Sequence, residues 1–470
     1  MTHTEISELS ATQIARLVAS FELSPVEVIN TALEQVDRCN PTLNAIVTIN
    51  DRALDDARRL ESALAAGATP GPLCGVPVGI KDVTPVAGMR TTYGSPIHAD
   101  HVPETDALVV QRLRGAGAII IGKTNTPEFA AGGSTFNDVF GRTRNPWNPA
   151  LTSGGSTGGG AAAAATGMIA IAEGTDLGGS LRIPAAFCGL VGIRPSPGLV
   201  PTIPNGWLWD DLSVTGPMAR SAQDVALALH VMAGPDPRAP MSQVIERRDL
   251  TSGRSKLPLE SLRLGYCPDL ARLGIDPMIE EVCRSASIGL AESGSSVDVV
   301  DLDLSEAKKA FLHFRGVQMA TQMRSYIPQL QDLGDNIRGN IEAGLQVTGE
   351  QLAWAHTVRD EVWTRLNDFF ATHDYLLTPT MAVPPFPVEQ NYPETVAGRR
   401  METYVDWIAP TSSLSITGLP VASVPCGLDP GGMPVGLQVV GPPLSEAGVL
   451  SLCARIQEVN PIGSPDLSAM

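Results

Sequence analysis

The chain has 470 residues, more than one hydrophobic core usually organises, although an α/β fold built on one large sheet can reach this length. Hydrophobic residues make up 43% and charged residues 18% of the chain, a balance that excludes a disordered protein and is typical of a globular enzyme. Because 50 Asp and Glu outnumber 33 Lys and Arg, giving a formal net charge of -17, the composition disfavours binding to nucleic acid or to anionic membranes.

Cysteine usage and the N-terminal segment bear on the cellular compartment. Seven widely spaced cysteines include no CxxC pair and no cluster with histidine, which predicts reduced thiols, no metal site and no cofactor. The N-terminus lacks a basic region followed by an apolar run, and no stretch reaches the roughly 18 apolar residues of a membrane span. We therefore expect a cytoplasmic protein that does not associate with membranes.

The N-terminal segment, residues 1–70, is predicted to be mainly helical. Apolar residues recur at helical spacing between residues 5 and 66, and Ser24, Pro25 and Glu27 form a capped helix start. Residues 45–49 are predicted to form a short buried strand. Residues 71–240 are expected to form the catalytic core, where apolar strands alternate with helices: strands 76–80, 118–121 and 168–172, and helices 105–115 and 157–166.

The alternation of strands and helices continues to the C-terminus. Further strands are predicted at 262–266, 297–300, 375–378, 421–425 and 435–440, and further helices at 221–233, 277–293 and 445–458. Residues 305–400 are expected to form a helical cap or substrate-pocket insertion, and residues 401–470 to complete the sheet. Residues 236–260 and 384–400 are predicted loops. This order predicts an α/β fold in a single domain, 1–470, with one large, mixed, mostly parallel and twisted β-sheet covered by helices on both faces.

Two glycine-flanked serines, Ser156 and Ser180, bracket an alanine-rich helix and an apolar strand within residues 153–185. Glycines beside a serine let the backbone approach a substrate closely, and free N–H groups before Ser180 can face a developing oxyanion. Either cluster alone is equally compatible with a tightly packed glycine turn. Together with an upstream lysine, the two clusters favour a catalytic site.

The upstream lysine is Lys81, which follows the apolar run at 76–80. Most lysines after such runs extend to the surface. A buried lysine loses its proton more readily, because desolvation penalises the ammonium form. Asp82 would oppose this effect if it were close, although successive side chains of a strand point to opposite faces. Lys81 is thus a candidate base.

These segments resemble the amidase signature enzymes over residues 75–440. The resemblance rests on VGIKD around Lys81, GGSTGGG around Ser156, the spacing from there to GTDLGGSLRIPAA, and the flanking stretches GKTNTPEF, TRNPWNP, GLVGIRPS and GMPVGLQVVG. It implies the amidase signature fold. It also implies a serine hydrolase that cleaves carbon–nitrogen amide bonds through an acyl-enzyme intermediate.

The resemblance further implies a catalytic triad of two serines and a lysine. Ser180 is expected to be the nucleophile, Ser156 the proton relay, and Lys81 the base. A cis peptide bond is expected between Gly155 and Ser156.

Other residues of the two serine segments receive supporting roles from the same resemblance. The oxyanion hole is expected to consist of four backbone N–H groups, those of Leu177, Gly178, Gly179 and Ser180. Asp176 and Arg182 are expected to brace the loop of the nucleophile. Many relatives have a second serine where this chain has Thr157, so the hydroxyl is kept but its hydrogen bonding is open.

Three other motifs point to different chemistry. Residues 117–124, GAIIIGKT, satisfy a phosphate-loop pattern, but apolar residues occupy the anion-cradle positions, so a buried strand is expected. Ser305 and Lys308 satisfy SxxK in what reads as a charged helix start. Residues 154–158 fit GxSxG and would make Ser156 the nucleophile of an α/β-hydrolase-type esterase. No apolar strand leads into that motif, which favours Ser180.

The substrate and the partners are less constrained by the sequence. Acyl or aryl amides, esters and carbamates, the last implying a urethanase, all pass through similar tetrahedral intermediates. The alternative function is that of the glutaminase subunit of a tRNA-dependent amidotransferase, which works with partner subunits. Otherwise a monomer or homodimer is expected. Several side chains are candidates for the pocket: the aromatic residues Trp207, Trp209, Tyr326, Tyr404 and Trp407, and Arg324 as a partner for a substrate carboxylate.

Overall fold

A computed structural model describes residues 2–243, 250 and 259–468. More than half of the predicted loop at 236–260 lies outside the described residues. The described helices are α1 (His3–Glu8), α2 (Ala11–Ala19), α3 (Pro25–Leu43), α4 (Ala53–Ala65), α5 (Leu108–Gly115), α6 (Gly158–Ala165), α7 (Arg182–Cys188), α8 (Ala222–Met232), α9 (Pro277–Gly289), α10 (Ala307–Gln322), α11 (Asp335–Leu345), α12 (Gly349–Phe370), α13 (Ala409–Ser415) and α14 (Glu446–Val459).

The helices of the first 66 residues form as predicted. At the start of α3, Ser24 is the N-cap, Pro25 occupies the first turn and the Glu27 side chain completes a capping box. None of the helices in the described part of the chain is both long and apolar enough to cross a bilayer.

Eleven described strands form one sheet and four short ones form two hairpins. The strands are β1 (Ile46–Ile49), β2 (Pro77–Lys81), β3 (Ile119–Thr124), β4 (Phe136–Asn137), β5 (Gly141–Arg142), β6 (Ile171–Asp176), β7 (Val191–Arg194), β8 (Val214–Ala219), β9 (Arg263–Tyr266), β10 (Ser296–Val299), β11 (Tyr375–Pro379), β12 (Thr395–Val396), β13 (Arg399–Arg400), β14 (Val421–Leu428) and β15 (Pro434–Val440). The order in the large sheet is β1-β3-β2-β6-β8-β7-β14-β15-β11-β9-β10. The predicted α/β class with one large mixed sheet is confirmed.

The sheet has parallel pairing on its two sides and antiparallel pairing in its centre. Strand β2 pairs parallel with β3 and β6, and β9 pairs parallel with β10 and β11. From β6 through β8, β7, β14 and β15 to β11, every pairing is antiparallel. The edge strand β1 pairs antiparallel with β3. The expectation of mostly parallel pairing therefore holds for the blocks β3-β2-β6 and β11-β9-β10 and not for the centre or for β1. A short turn after β14, closed by Asp429, permits the central hairpin with β15.

Two central strands, β7 and β8, were not predicted from the sequence. Strand β7 spans only four residues, with Gly192 inside it and Pro195 directly after it, and β8 carries Gly216 and Pro217 in its interior. Both features are unfavourable for a strand in sequence terms. Their pairing is fixed by tertiary contacts, since β7 and β8 bridge β6 to β14.

The predicted helical region at 305–400 contains α10, α11 and α12, and strand β11 of the large sheet follows them. The three helices contribute to a second hydrophobic cluster, which also includes Leu177 of the loop after β6 and Trp407 and Ile408 before α13. Helices α10 and α11 cross closely at two glycines. A Cβ on Gly344 would overlap the carbonyl oxygen of Gly316.

We predict that Gly344→Ala destabilises the protein by about 1–3 kcal/mol, because the added methyl group forces α10 and α11 apart. Gly339→Ala is the matched control, since Gly339 lies on the same helix with open space around its Cβ position. That control is expected to gain up to about 1 kcal/mol from helix propensity. Urea unfolding of both variants provides the measurement. Equal effects of the two substitutions would show that the crossing is not tightly packed.

Candidate active site

Lys81 lies at the end of β2 with its side chain inside the protein. The strand is buried along its whole length, and Lys81 is 0% exposed. Its Nζ atom lies 2.6 Å from Ser156 Oγ and 2.9 Å from Thr175 Oγ1 of β6, and donates to both. The lysine is thus a buried group held by two hydroxyls, and it does not extend to the surface.

Burial is the main influence on the protonation of Lys81. Desolvation lowers the pKa of its ammonium to about 7, although the negative charges of Glu173 and Asp176 act in the opposite direction. Asp82, the next residue, is engaged elsewhere. Its carboxylate accepts hydrogen bonds from the backbone and hydroxyl of Thr92 and lies 3.9 Å from Lys123 Nζ. Near neutral pH, Lys81 can therefore gain or lose a proton.

Ser156 lies in a tightly enclosed turn between residue 153 and α6. The peptide bond between Gly155 and Ser156 is cis, and Ser156 is 0% exposed. A Cβ on Gly155 would lie 2.9 Å from the carbonyl carbon of Ser134, so the backbone of the 133–134 segment passes directly against this turn. The glycine is required here by close approach.

Thr157 follows Ser156 and is the N-cap residue of α6. Its N–H donates to the carbonyl oxygen of Ser180 at 3.2 Å. Its hydroxyl is buried and has no hydrogen-bond partner among the described residues. The threonine therefore connects the two serine segments through its backbone.

Ser180 lies in the loop between β6 and α7, and the loop is folded around the carboxylate of Asp176. Gly179 N–H donates to Asp176 Oδ1 at 2.8 Å and Leu181 N–H donates to Oδ2 at 3.2 Å. Gly179 adopts a φ of +130°, a conformation that favours glycine. Ser180 is half-buried, unlike the fully buried Lys81 and Ser156. The loop thus leaves Ser180 the most accessible of the three.

The four N–H groups expected in the oxyanion hole are not equivalent. Gly179 N–H donates to Asp176 Oδ1 at 2.8 Å and is therefore engaged within the loop. In the described residues, the N–H groups of Leu177, Gly178 and Ser180 have no intramolecular acceptor. Three of the four expected donors therefore remain for a ligand.

Asp176 and Arg182 form the ion pair expected to brace this loop. Both are fully buried, with Arg182 Nη2 2.9 Å and Nε 3.0 Å from the carboxylate oxygens. Burial alone would raise the pKa of Asp176, but the charges and hydrogen bonds of Arg182, together with Arg194, lower it to about 2. Arg182 also donates to the Thr411 carbonyl, to Gln438 and to Ser415. The loop is thereby fixed to α13 and β15.

Only two of the three predicted triad residues are in direct side-chain contact among the described residues. Lys81 and Ser156 form a direct hydrogen bond. Among the described residues there is no hydrogen bond between the hydroxyls of Ser156 and Ser180, and the two segments are linked by the bond from Thr157 N–H to the Ser180 carbonyl.

Two residues beside Lys81, Thr175 and Glu173, were not found from the sequence. Both lie on β6, two positions apart, and so face the same side of the strand. Thr175 binds the lysine amine, and Glu173 accepts a hydrogen bond from the lysine backbone. Strand alternation in IAEGTD was the signal that could have identified them.

The candidate pocket residues occupy different environments. Trp407 is buried and stacks with Phe187 at 6.2 Å between ring centroids, whereas Trp209 is 63% exposed and Trp207 is half-buried. Tyr404 and Tyr326 hydrogen-bond to other side chains, those of Arg315 and His98. Arg324 donates to the carbonyls of Gly206 and Thr321.

Two apolar side chains border the loop of Ser180 at Gly178. A Cβ on Gly178 would lie 2.8 Å from Phe311 Cζ of α10 and 3.3 Å from Ile408 Cδ1, so both side chains pack against this glycine. Neither residue was identified from the sequence.

The motifs that pointed to other chemistry have structural explanations. Residues 119–124 of the phosphate-loop pattern form the buried strand β3, as expected. Ser305 and Lys308 lie at the start of α10, where Lys308 pairs with Asp406 at 2.6 Å. No strand of the large sheet leads into the GxSxG segment at 154–158 within the described residues.

Comparison with known proteins identifies the family. The family model described as Amidase matches residues 27–450. The chain belongs to the amidase signature family. An acylamidase of Rhodococcus erythropolis is 35% identical over 467 residues, covering 98% of this chain and 97% of that protein. A glutamyl-tRNA(Gln) amidotransferase subunit of Symbiobacterium thermophilum is 34% identical over 493 residues, with 96% of each covered.

A solved structure supports the same assignment. The crystal structure of a bacterial aryl acylamidase of the amidase signature family matches with a TM-score of 0.89 and 29% sequence identity, covering 96% of both chains. The predicted family and fold are confirmed, and the chain is an amidase signature hydrolase that acts on amide bonds.

Proposed function

We propose that this amidase hydrolyses acyl or aryl amides, with Ser180 as nucleophile, Ser156 as proton relay and Lys81 as base. The observation that carries the proposal is the 2.6 Å hydrogen bond between the buried Lys81 amine and Ser156 Oγ. A lysine kept from water, with a pKa of about 7, can accept a proton near neutral pH.

The reaction begins when Ser180 Oγ attacks the amide carbonyl carbon. The Ser180 proton passes to Ser156, whose own proton passes to neutral Lys81, and the carbonyl π electrons move to the oxygen. When the tetrahedral intermediate collapses, the carbon–nitrogen bond breaks and the nitrogen receives a proton through Ser156. Water then attacks the acyl-enzyme carbonyl while its proton passes through Ser156 to Lys81. When the ester C–O bond breaks, that proton returns through Ser156 to Ser180 Oγ and the carboxylic acid leaves.

The oxyanion is stabilised by backbone N–H groups of the loop folded around Asp176. The N–H groups of Leu177, Gly178 and Ser180 have no acceptor among the described residues, so they are the proposed donors. Gly179 is assigned a structural role instead, because its N–H holds the loop in place by donating to Asp176. The braced loop holds the donors in place before the charge develops.

The apolar groups beside this loop favour an apolar substituent on the substrate. Phe311 and Ile408 pack against Gly178, next to the proposed oxyanion donors. Similarity to an acylamidase and to an aryl acylamidase supports acyl or aryl amides as substrates. Esters and carbamates share the tetrahedral intermediate and are secondary candidates.

The second candidate function is a glutaminase subunit that works with partners. It is favoured by the 34% identity to a glutamyl-tRNA(Gln) amidotransferase subunit over almost the full length of both chains. The same triad would then release ammonia from glutamine.

We predict that Ser180→Ala and Lys81→Ala each lower kcat/KM by at least about 10³-fold, because each removes a member of the proton and acyl pathway. Ser285→Ala, on the exposed face of α9, is the control and is expected to keep wild-type activity. A serine-directed phosphonate should label Ser180, as detected by peptide mass spectrometry. An adduct on Ser156 instead would reverse the assignment of nucleophile and relay.

We predict that kcat/KM falls on the acidic side of a midpoint near pH 7. The active base is neutral Lys81, its pKa is about 7, and each pH unit below that value removes about tenfold of the neutral form. A pH profile with an activated anilide measures the midpoint. A profile that stays flat down to about pH 5 would require a different base.

We predict that the purified chain alone hydrolyses an anilide faster than it hydrolyses glutamine. A panel of an anilide, a short aliphatic amide, a carbamate and glutamine compares the leaving groups under one condition. Glutamine turnover that appears only once partner subunits have been supplied would favour the amidotransferase alternative.

A further inference from the structure

Glu173 is a fully buried carboxylate beside the proposed base. It lies on β6, where the register with β2 pairs Val78 with Ile171 and Gly79 with Ala172. Beyond these pairs, Lys81 N–H donates to the side chain of Glu173, with 3.0 Å between N and Oε2. The carboxylate thus binds the backbone of the catalytic lysine at the point where strand pairing ends.

The other oxygen of Glu173 is also an acceptor. The Thr84 hydroxyl donates to Oε1 at 2.9 Å. Burial raises the pKa of Glu173, and the hydrogen bonds from the Thr84 hydroxyl and the Lys81 N–H act against this effect by stabilising the ionised form.

A second buried lysine, Lys123 of β3, contributes positive charge on the far side of Thr84. Its Nζ donates to the Thr84 carbonyl and, at 3.2 Å, to the Thr91 hydroxyl, and it lies 3.9 Å from Asp82 Oδ1. Thr84 therefore contacts both Glu173 and Lys123.

The charged groups near Lys81 come from two strands, β6 and β3, and from the turn after β2, and those of β6 act on its pKa. Glu173 and Asp176 are on β6, Lys123 is on β3, and Asp82 follows Lys81 directly. Asp82 is engaged by Thr92 and Lys123, and Asp176 is paired with Arg182 and Arg194. Glu173 is the carboxylate of this set that binds Lys81 itself.

We propose that Glu173 is a positioning residue for Lys81, holding its backbone in place and, through its negative charge, setting the pH at which the amine becomes a base. The inference rests on the proposed role of Lys81. A neutral amide or hydroxyl could accept the Lys81 N–H equally well, so the backbone contact alone does not require a buried charge. The charge acts on the amine, where it favours the ammonium and opposes desolvation.

This role has a defined sign. An ionised Glu173 stabilises protonated Lys81, so its removal lets Lys81 remain neutral at lower pH. It also stabilises the ammonium that forms when Lys81 accepts the proton of the serine relay, so its removal makes Lys81 a weaker base. A purely structural role would lower activity without moving the acid side of the pH profile.

The test is the pH dependence of kcat/KM for Glu173→Gln, with whichever member of the amide panel the wild type hydrolyses. The expected result is an acid limb displaced to lower pH by on the order of one unit, with a plateau reduced by up to about tenfold. Glu446→Gln is the matched control. Glu446 is also buried and accepts a backbone N–H, from Ser196 at 2.8 Å, but it is not among the charges that act on Lys81.

A folded Glu173→Gln enzyme with an unmoved acid limb would overturn the proposal. If this variant does not fold, Thr84→Val decides instead, because it removes the hydroxyl that stabilises the ionised form of Glu173. It is expected to move the limb in the same direction by a smaller amount, and an unmoved limb would overturn the proposal here too. Lys81→Ala tests the role of Lys81 separately from that of Glu173. An unchanged pH profile of kcat/KM in that variant would refute Lys81 as the base, whatever the result for Glu173.

Discussion

The placement of an amine inside the protein, at the end of β2, is the constraint on which the rest of the site depends. Lys81 can act as a base near neutral pH only if water is excluded, and this requires neighbours that pack closely and offer hydroxyls. Small residues of α6 and of β6 meet this requirement. A side chain at Gly174 would collide with Thr157, and one at Gly159 with the backbone of Asn125. The glycines therefore allow the neighbouring backbone and side chains to pack closely around the site.

The loop that carries Ser180 depends on a second buried charge. The carboxylate of Asp176 accepts hydrogen bonds from N–H groups of its own loop and from the guanidinium of Arg182. Arg182 in turn donates to Thr411 and Gln438, which lie more than 200 residues away in sequence. A buried ion pair is a costly arrangement unless its hydrogen bonds are satisfied. Here they are, and the consequence is that the loop geometry is determined jointly by β6, α13 and β15.

The parts of the structure that sequence predicted are those with local signals. The start of α3 and the buried strand β3 followed from capping and periodicity, and the contact of Lys81 with Ser156 was implied by the family resemblance. Strands β7 and β8 were missed because long-range pairing overrides their unfavourable local composition. The use of Gly179 N–H by Asp176 depends on how the loop folds back on itself, which residue types alone do not specify.

The two buried lysines of the site, Lys81 and Lys123, are desolvated alike but differ in the groups that bind their amines. Both Lys81 and Lys123 are fully buried, and desolvation lowers the pKa of each, to about 7 and about 8. Lys123 lies near the carboxylate of Asp82 and binds a carbonyl and a hydroxyl, which suits a retained positive charge. The amine of Lys81 is instead bound by two hydroxyls, those of Ser156 and Thr175, and the carboxylate of Glu173 binds the Lys81 backbone. Hydroxyls can both accept and donate, so they serve the amine in its neutral and its charged form, and that property makes Lys81 the lysine suited to proton transfer.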